Sequence, residues 1–135
     1  MATPTLRALR KSFPDSKIVG VMRPLIHDVL EQAWGSDRAW IDEALLFNKK
    51  ADDRAGSRWG LIRQIRRSRA QVAVLLTNSL WSAAAVRLAG VSRVVGYHRD
   101  ARGIFLSDRV PVPHDGRRLR PISPVDYYLN LAHWL

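Results

Sequence analysis

The sequence predicts an α/β fold, a doubly wound, Rossmann-like parallel sheet. Three observations carry that expectation. Short β-branched runs alternate with helical patterns along the chain. One run, "QVAVLLT" (71–77), is apolar almost throughout, as in a strand covered on both faces. The pattern that follows it, "SLWSAAAVRLAG" (79–90), is rich in alanine, and its small side chains let a helix lie close against a sheet. With 135 residues, 47% of them hydrophobic, the chain fits one domain over 1–135 with a core of its own.

The elements follow in order. Thr3 is a good N-cap and Pro4 suits the first turn, where its missing N–H costs nothing. Leu6, Leu9 and Phe13 then give that first helix an apolar stripe. "KIVGVM" (17–22) reads as a strand stopped by Arg23-Pro24. "LIHDVLEQAW" (25–34) has helical periodicity and ends at Gly35, and "EALLF" (43–47) suits a short strand. "KKADDRAGS" (49–57) holds charges of both signs and reads as a surface loop. A helix runs from Ser57 to about Arg69, with Leu61, Ile62 and Ile65 on one face and Arg63 and Arg67 on another. The helix over 79–90 takes Gly90 as its C-cap, and "SRVVGY" (92–97) is the next strand. Residues 98–121 are rich in turn formers. "SPVDYYLNLAHWL" (123–135) is a helix capped at Ser123, with Pro124 at N1 and Asp126 in its first turn. No strand leads into the first helix and no C-cap closes the last, so the pattern reads as cut at both ends. There are no internal repeats.

The formal charge is +10, and 18 of the 22 basic residues are arginine. Arginine forms bidentate bonds with phosphates and carboxylates, so nucleic acid, anionic headgroups and phosphorylated sugars all suit this balance. An arginine-rich solvated face accounts for it equally well. The absence of cysteine excludes a disulfide framework and any thiolate chemistry. The first 20 residues lack the apolar core of a secretory signal and no run is long enough to span a bilayer, which predicts a soluble, cytoplasmic protein. His27, His98, His114 and His133 show no ligand spacing, so no metal site is expected. Walker A, GxGxxG and Gly-x-Ser-x-Gly patterns are missing.

Doubly wound sheets bind ligands beyond the carboxyl ends of their strands. That rule points to Met1–Thr3, Met22–Pro24, Thr77–Ser79 and Tyr97–Arg102. Asn78 and Ser79 suit helix capping, and the first N–H groups of that helix can receive an anion or a sugar hydroxyl. Arg99 and Arg102 can hold a phosphate or carboxylate, or pair with Asp100 or Asp108. The arginines of the 57–69 helix are a third candidate beside their reading as a solvated face. Trp34, Trp40, Trp59, Trp81 and Trp134 are dispersed, which favours core packing or partner contact over base stacking.

Several segments, read together, resemble a known family. They are "MATPTLRALRKSFPDSKI", "VMRP", "LLTNSLWSAAAVRLAGVSRVVGY", "RDARGIFLSDRVPVP" and "VDYYLNL". In this order they are similar to the bacterial lipopolysaccharide heptosyltransferases of glycosyltransferase family 9, most closely the heptosyltransferase II branch. The Asn-Ser-x-x-Ser-Ala turn followed by Leu-Ala-Gly and Gly-Tyr is specific as a set. The resemblance implies the N-terminal, acceptor-binding half of a GT-B glycosyltransferase, with the C-terminal nucleotide-sugar domain outside these residues. The donor would be ADP-heptose, with no further cofactor. The acceptor would be the Kdo-bearing inner core of lipid A, met by a peripheral protein at the inner face of the cytoplasmic membrane.

By the same resemblance, Arg102, Arg58 and Arg63 would pair with Kdo carboxylates and lipid A phosphates, and Thr3, Asn78 and Ser79 would line the same cleft edge. The Asn78 turn and the Arg102 loop are expected on opposite rims. In the family an apolar strand and a Gly-Asp pair precede the segment matching Met1–Pro4, and the Asp is the proposed general base. The resemblance thus puts the first strand and the catalytic Asp upstream of Met1, so that these residues alone do not transfer heptose. An alternative is a non-catalytic acceptor-binding half completed by a second chain. A basic nucleic-acid-binding domain is a further alternative, but no helix-turn-helix, RRM or OB pattern appears and no nucleic acid is expected.

Overall fold

Parallel strand pairing organises the chain, as the alternating pattern predicts. The computed structural model describes residues 3–28, 40–47, 58–98, 101–112, 114–115, 118–119 and 123–135. Helix α1 (Thr3–Ser12) leads to β1 (Val19–Met22), which pairs in parallel with β2 (Glu43–Leu46). Helix α2 (Arg58–Ser68) follows, then β3 (Val72–Val74), α3 (Leu80–Leu88) and β4 (Arg93–Tyr97). A 3₁₀ turn (Arg102–Phe105) brings the chain into β5 (Asp108–Val110). The order β3-β4-β5 is parallel throughout, with Val74 beside Val95 and Val95 beside Asp108. A two-residue antiparallel pair, β6 (His114–Asp115) with β7 (Arg118–Leu119), precedes the last helix, α4 (Pro124–His133). The molecule is therefore mixed α/β with short parallel sheets.

Strand β4 is buried from Val94 to Tyr97, and its side chains divide between two core clusters, one on each face of its sheet. Val94 joins Leu61, Ile62 and Ile65 of α2 and Ala83, Ala85 and Val86 of α3 in one core cluster. Val95 and Tyr97 join Val110 and Leu131 of α4 in the other. The expected faces of α2 and α3 are confirmed: Leu61, Ile62 and Ile65 are buried, Arg63 and Arg67 are exposed, and Ala83 and Ala85 meet the core with no bulk between helix and sheet. Gly90 has φ +89°, a conformation glycine adopts without steric cost. There the Gly90 and Val91 N–H groups reach the Arg87 and Val86 carbonyls, closing α3 as a Schellman turn. Ser123 caps α4 as expected, its hydroxyl accepting from the Val125 N–H at 3.3 Å.

Three expectations are corrected. The strand over 71–77 forms a ladder only at Val72–Val74, and Val72 is 43% exposed rather than covered. The reason is that β3 has β4 on one side and, among the described residues, no ladder partner on the other. The stripe of α1 differs too: Leu6 and Leu9 are half-buried, Phe13 lies exposed beyond the helix, and Thr5 is the buried residue. Here the packing partner of α1 is helix α4. The turn-rich stretch after Tyr97 contains the 3₁₀ turn, β5 and the β6–β7 pair. The 25–34 helix is seen at 24–28, and the rest of it lies outside the described residues. So do Met1, Ala2, Trp34, Gly35, the 49–57 loop, Ser57, Arg99 and Asp100.

Asp42 joins the first helix to the first sheet. Its Oδ2 accepts from the Ile18 N–H and from Arg10 Nη2, each at 2.6 Å. The Ile18 bond first, and then Arg10, hold the carboxyl below its ordinary value of 3.8 against the opposing effect of partial burial. The folded form therefore binds the proton less readily than the unfolded chain, and this stabilisation is present above about pH 4 and lost as pH falls through the lowered value. Asp42 is 40% exposed, so solvent screening reduces its worth. Asp42→Asn is expected to lose about 1 kcal/mol at neutral pH. Urea titrations should show that difference shrinking below about pH 4; a constant difference down to pH 2 would refute the assignment.

Candidate functional site

The carboxyl ends of β3 and β4 lie side by side because the two strands are adjacent and parallel. Beyond β3 the chain turns through Thr77, Asn78 and Ser79 into α3; beyond β4 it runs through His98 to the 3₁₀ turn. Arg102, the first residue of that turn, is 0% exposed. Its Nε donates to the Tyr97 carbonyl at 2.7 Å, its Nη1 to the Thr77 carbonyl, and its Nη2 to Asn78 Oδ1 at 3.2 Å. One guanidinium thus clamps the ends of two strands and the side chain of the turn between them. Gly96 lies beneath it: a Cβ there would be in ordinary contact with Arg102 Nη2 at 3.5 Å and would crowd Leu106 at 3.2 Å and Leu75 at 3.3 Å.

Helix α4 closes the site from the other face of the sheet. Tyr127 stacks on Tyr97 with ring centroids 3.9 Å apart, and the Tyr97 hydroxyl donates to the Tyr127 carbonyl. Burial first, and then the neighbouring Tyr127, push the Tyr97 hydroxyl above its ordinary value of 10.0, so it stays protonated as a donor. The Tyr127 hydroxyl donates to Asn78 Oδ1 at 3.3 Å. Because arginine only donates, the Asn78 oxygen must face Arg102. Its NH₂ group is thereby turned away from both donors on an exposed side chain, with no hydrogen bond among the described residues.

The start of α3 is open. Ser79 occupies the N-cap position in an extended conformation, yet its side chain makes no capping bond. The expected capping by Asn78 is likewise replaced by its bonds to Arg102 and Tyr127. Thr77 Oγ1 is 2.9 Å from Ser82 Oγ, which donates to the Ser79 carbonyl. Among the described residues the first-turn N–H groups of α3 therefore have no side-chain acceptor, and its first turn carries no acid. Arg58, exposed at the first position of α2, places its guanidinium 5.0 Å from the centre of the Trp81 ring. A cation there stands at the positive end of its own helix dipole, and a bound anion would offset that.

Of the six expected site residues, Asn78, Ser79 and Arg102 form one constellation, and Arg58 reaches Trp81 two residues past Ser79. The expectation of opposite rims is corrected: Asn78 and Arg102 are hydrogen-bonded on one rim. A direct ion pair between Arg102 and a ligand does not fit its burial, so its part here is to position Asn78. Arg63 lies one helical turn from Trp59 on the outer side of α2, and Thr3 begins α1; among the described residues neither is hydrogen-bonded to Asn78 or Ser79. Tyr97 begins the Tyr97–Arg102 stretch to which the strand-end rule pointed, whereas Tyr127 and Trp81 enter the site without having been singled out for it, although Tyr127 stands within the "VDYYLNL" segment.

The rim presents donors and a cation, with no Asp, Glu or His hydrogen-bonded to Asn78, Ser79 or Arg58 among the described residues. That chemistry suits an anion or a polyhydroxy ligand. Among the described residues no group of three or more His, Asp or Glu side chains could hold a metal ion, and no helix is long and apolar enough to cross a membrane. Comparisons with protein-family models, curated proteins and solved structures find no match.

Proposed function

We propose that the chain is the acceptor-binding half of a glycosyltransferase of the lipopolysaccharide heptosyltransferase type. In this reading an anionic, lipid-linked saccharide such as the Kdo-bearing core of lipid A is held at the rim formed by Asn78, Ser79, the start of α3 and Arg58. ADP-heptose is presented by a GT-B partner domain or a second chain. The acceptor hydroxyl attacks the anomeric carbon, the bond from that carbon to the ADP oxygen breaks, and a carboxylate outside this rim takes the proton. The protein works as a peripheral component at the inner membrane face.

The observation that carries the reading is a rim of hydrogen-bonding groups and a cation, with no carboxylate bonded to it among the described residues, at the carboxyl ends of two adjacent parallel strands, where ligands of such sheets bind. The strand order supports it. Among the described residues β1 and β3 are each paired on one side only, while Val19 and Ala73 pack against the same core. One further parallel strand between them would join the two ladders into a single sheet, β2-β1-strand-β3-β4-β5, the arrangement of a complete doubly wound half.

Calorimetric titration with a soluble Kdo disaccharide tests the proposal. Arg58→Ala and Asn78→Ala are each expected to weaken binding about tenfold, the value of one charge-assisted hydrogen bond. No heat with the wild-type chain, or wild-type affinity in both variants, would overturn it.

A further inference from the structure

We infer that the outer face of α2 and α3 is a docking surface for an anionic lipid bilayer. The inference deepens the proposed function, since a lipid-linked acceptor must be met at a membrane, but it stands on a different part of the molecule. Between Asp53 and Asp100 the sequence holds nine arginines and no carboxylate. Within that stretch Trp59, Ile62, Arg63, Arg66, Arg67 and Leu88 line an open groove of about 550 Å³.

Trp59, Arg63 and Arg67 follow at four-residue spacing, so they share the side of α2 turned away from the buried Leu61, Ile62 and Ile65. Trp59 is 74% exposed and Leu88 51%, large values for such side chains in a well-covered fold. Arg66 spends its guanidinium on the Leu88 and Ala89 carbonyls at the end of α3, which pins the two helices together and leaves Arg63 and Arg67 as the outward cations.

This pairing of an apolar tip with arginines selects the occupant. An indole settles at the headgroup level of a bilayer, and arginine lays its aliphatic stem on apolar surface while its charge stays with lipid phosphates. A nucleic acid would meet the arginines but would offer the Leu88 side chain nothing. The groove also has a direction. Helices α2 and α3 both follow parallel strands, and Trp59 adjoins Arg58, which stacks on Trp81 beside the Asn78 turn. A membrane under the groove would place the saccharide of a lipid-linked acceptor at that rim.

Co-sedimentation with vesicles lacking any saccharide tests the surface alone, so its outcome is separate from acceptor binding. In about 0.1 M salt, where charges are screened beyond roughly 10 Å, the chain is expected to bind phosphatidylglycerol vesicles and not phosphatidylcholine vesicles. Each arginine near such a surface is worth about fivefold in partitioning, so Arg63→Gln with Arg67→Gln should reduce binding about 25-fold. Trp59→Ser should reduce it further. Lys11→Gln with Lys17→Gln, which removes the same charge from α1 and the chain before β1, should change it less than about twofold. The proposal is overturned by absent vesicle binding, by equal losses in the two double variants, or by a DNA oligonucleotide binding more tightly than the vesicles in the same buffer.

Discussion

Arg102→Met is expected to destabilise the fold by about 3 kcal/mol. The Tyr97 and Thr77 carbonyls would lose the hydrogen bonds of the guanidinium, and Asn78 Oδ1 would keep only the Tyr127 hydroxyl. A buried acceptor left without a partner costs about 1–3 kcal/mol. Removing a buried charge returns part of that, because the charge itself is costly to desolvate. Methionine fills much of the space, so the loss reports mainly on polar satisfaction rather than on a cavity. Arg102→Lys should recover only a minor share, since an ammonium is a compact charge and cannot span three acceptors on two separate segments. Urea unfolding followed by circular dichroism measures both. A loss under about 1 kcal/mol for the methionine variant would show that the clamp has no structural weight.

The second large effect belongs to α4. Leu131 is 0% exposed among Val95, Tyr97 and Val110, and truncating such a leucine to alanine costs about 3 kcal/mol. The expected pattern matters as much as the size. The α2–α3 cluster lies on the other face of the sheet and shares none of these residues. Amide exchange in Leu131→Ala should therefore rise first in α4, with protection at Leu61, Ile65 and Val86 largely retained. Freed from its stack on Tyr97, Tyr127 would also release Asn78, so acceptor affinity should fall in parallel. A uniform rise in exchange across both faces would mean that the two clusters open as one unit.

The helices and most strands were legible because their signals are local. Leu61, Ile62 and Ile65 repeat at helical spacing, Ser123-Pro124 marks a helix start, and Gly90 an end. Strand β5 was not legible: three residues, Asp108, Arg109 and Val110, form a strand only because the edge of β4 is beside them. The β6–β7 pair did leave a trace in "HDGRRL", whose glycine after Asp115 suits a tight hairpin. The covered strand over 71–77 failed for the opposite reason, since apolar content signals burial but says nothing about which neighbours are present.

The site shows the same division. That Asn78 and Ser79 stand in the turn from a strand to a helix could be read from the sequence alone. The burial of Arg102 could not, because an arginine in a polar loop looks like surface until folding sets the Thr77 and Tyr97 carbonyls around it. The link from Tyr127 to Asn78 spans 49 residues, and no pattern within either segment announces it.

The central claim, an anionic saccharide held at the Asn78 rim, is tested most directly by two-dimensional ¹⁵N NMR of the chain during addition of a Kdo disaccharide. The account predicts that the Asn78 side-chain amide and the backbone amides of Leu80, Trp81 and Ser82 shift first and together, saturating with one affinity. Shifts confined to other surfaces, or none at those four groups, would contradict it.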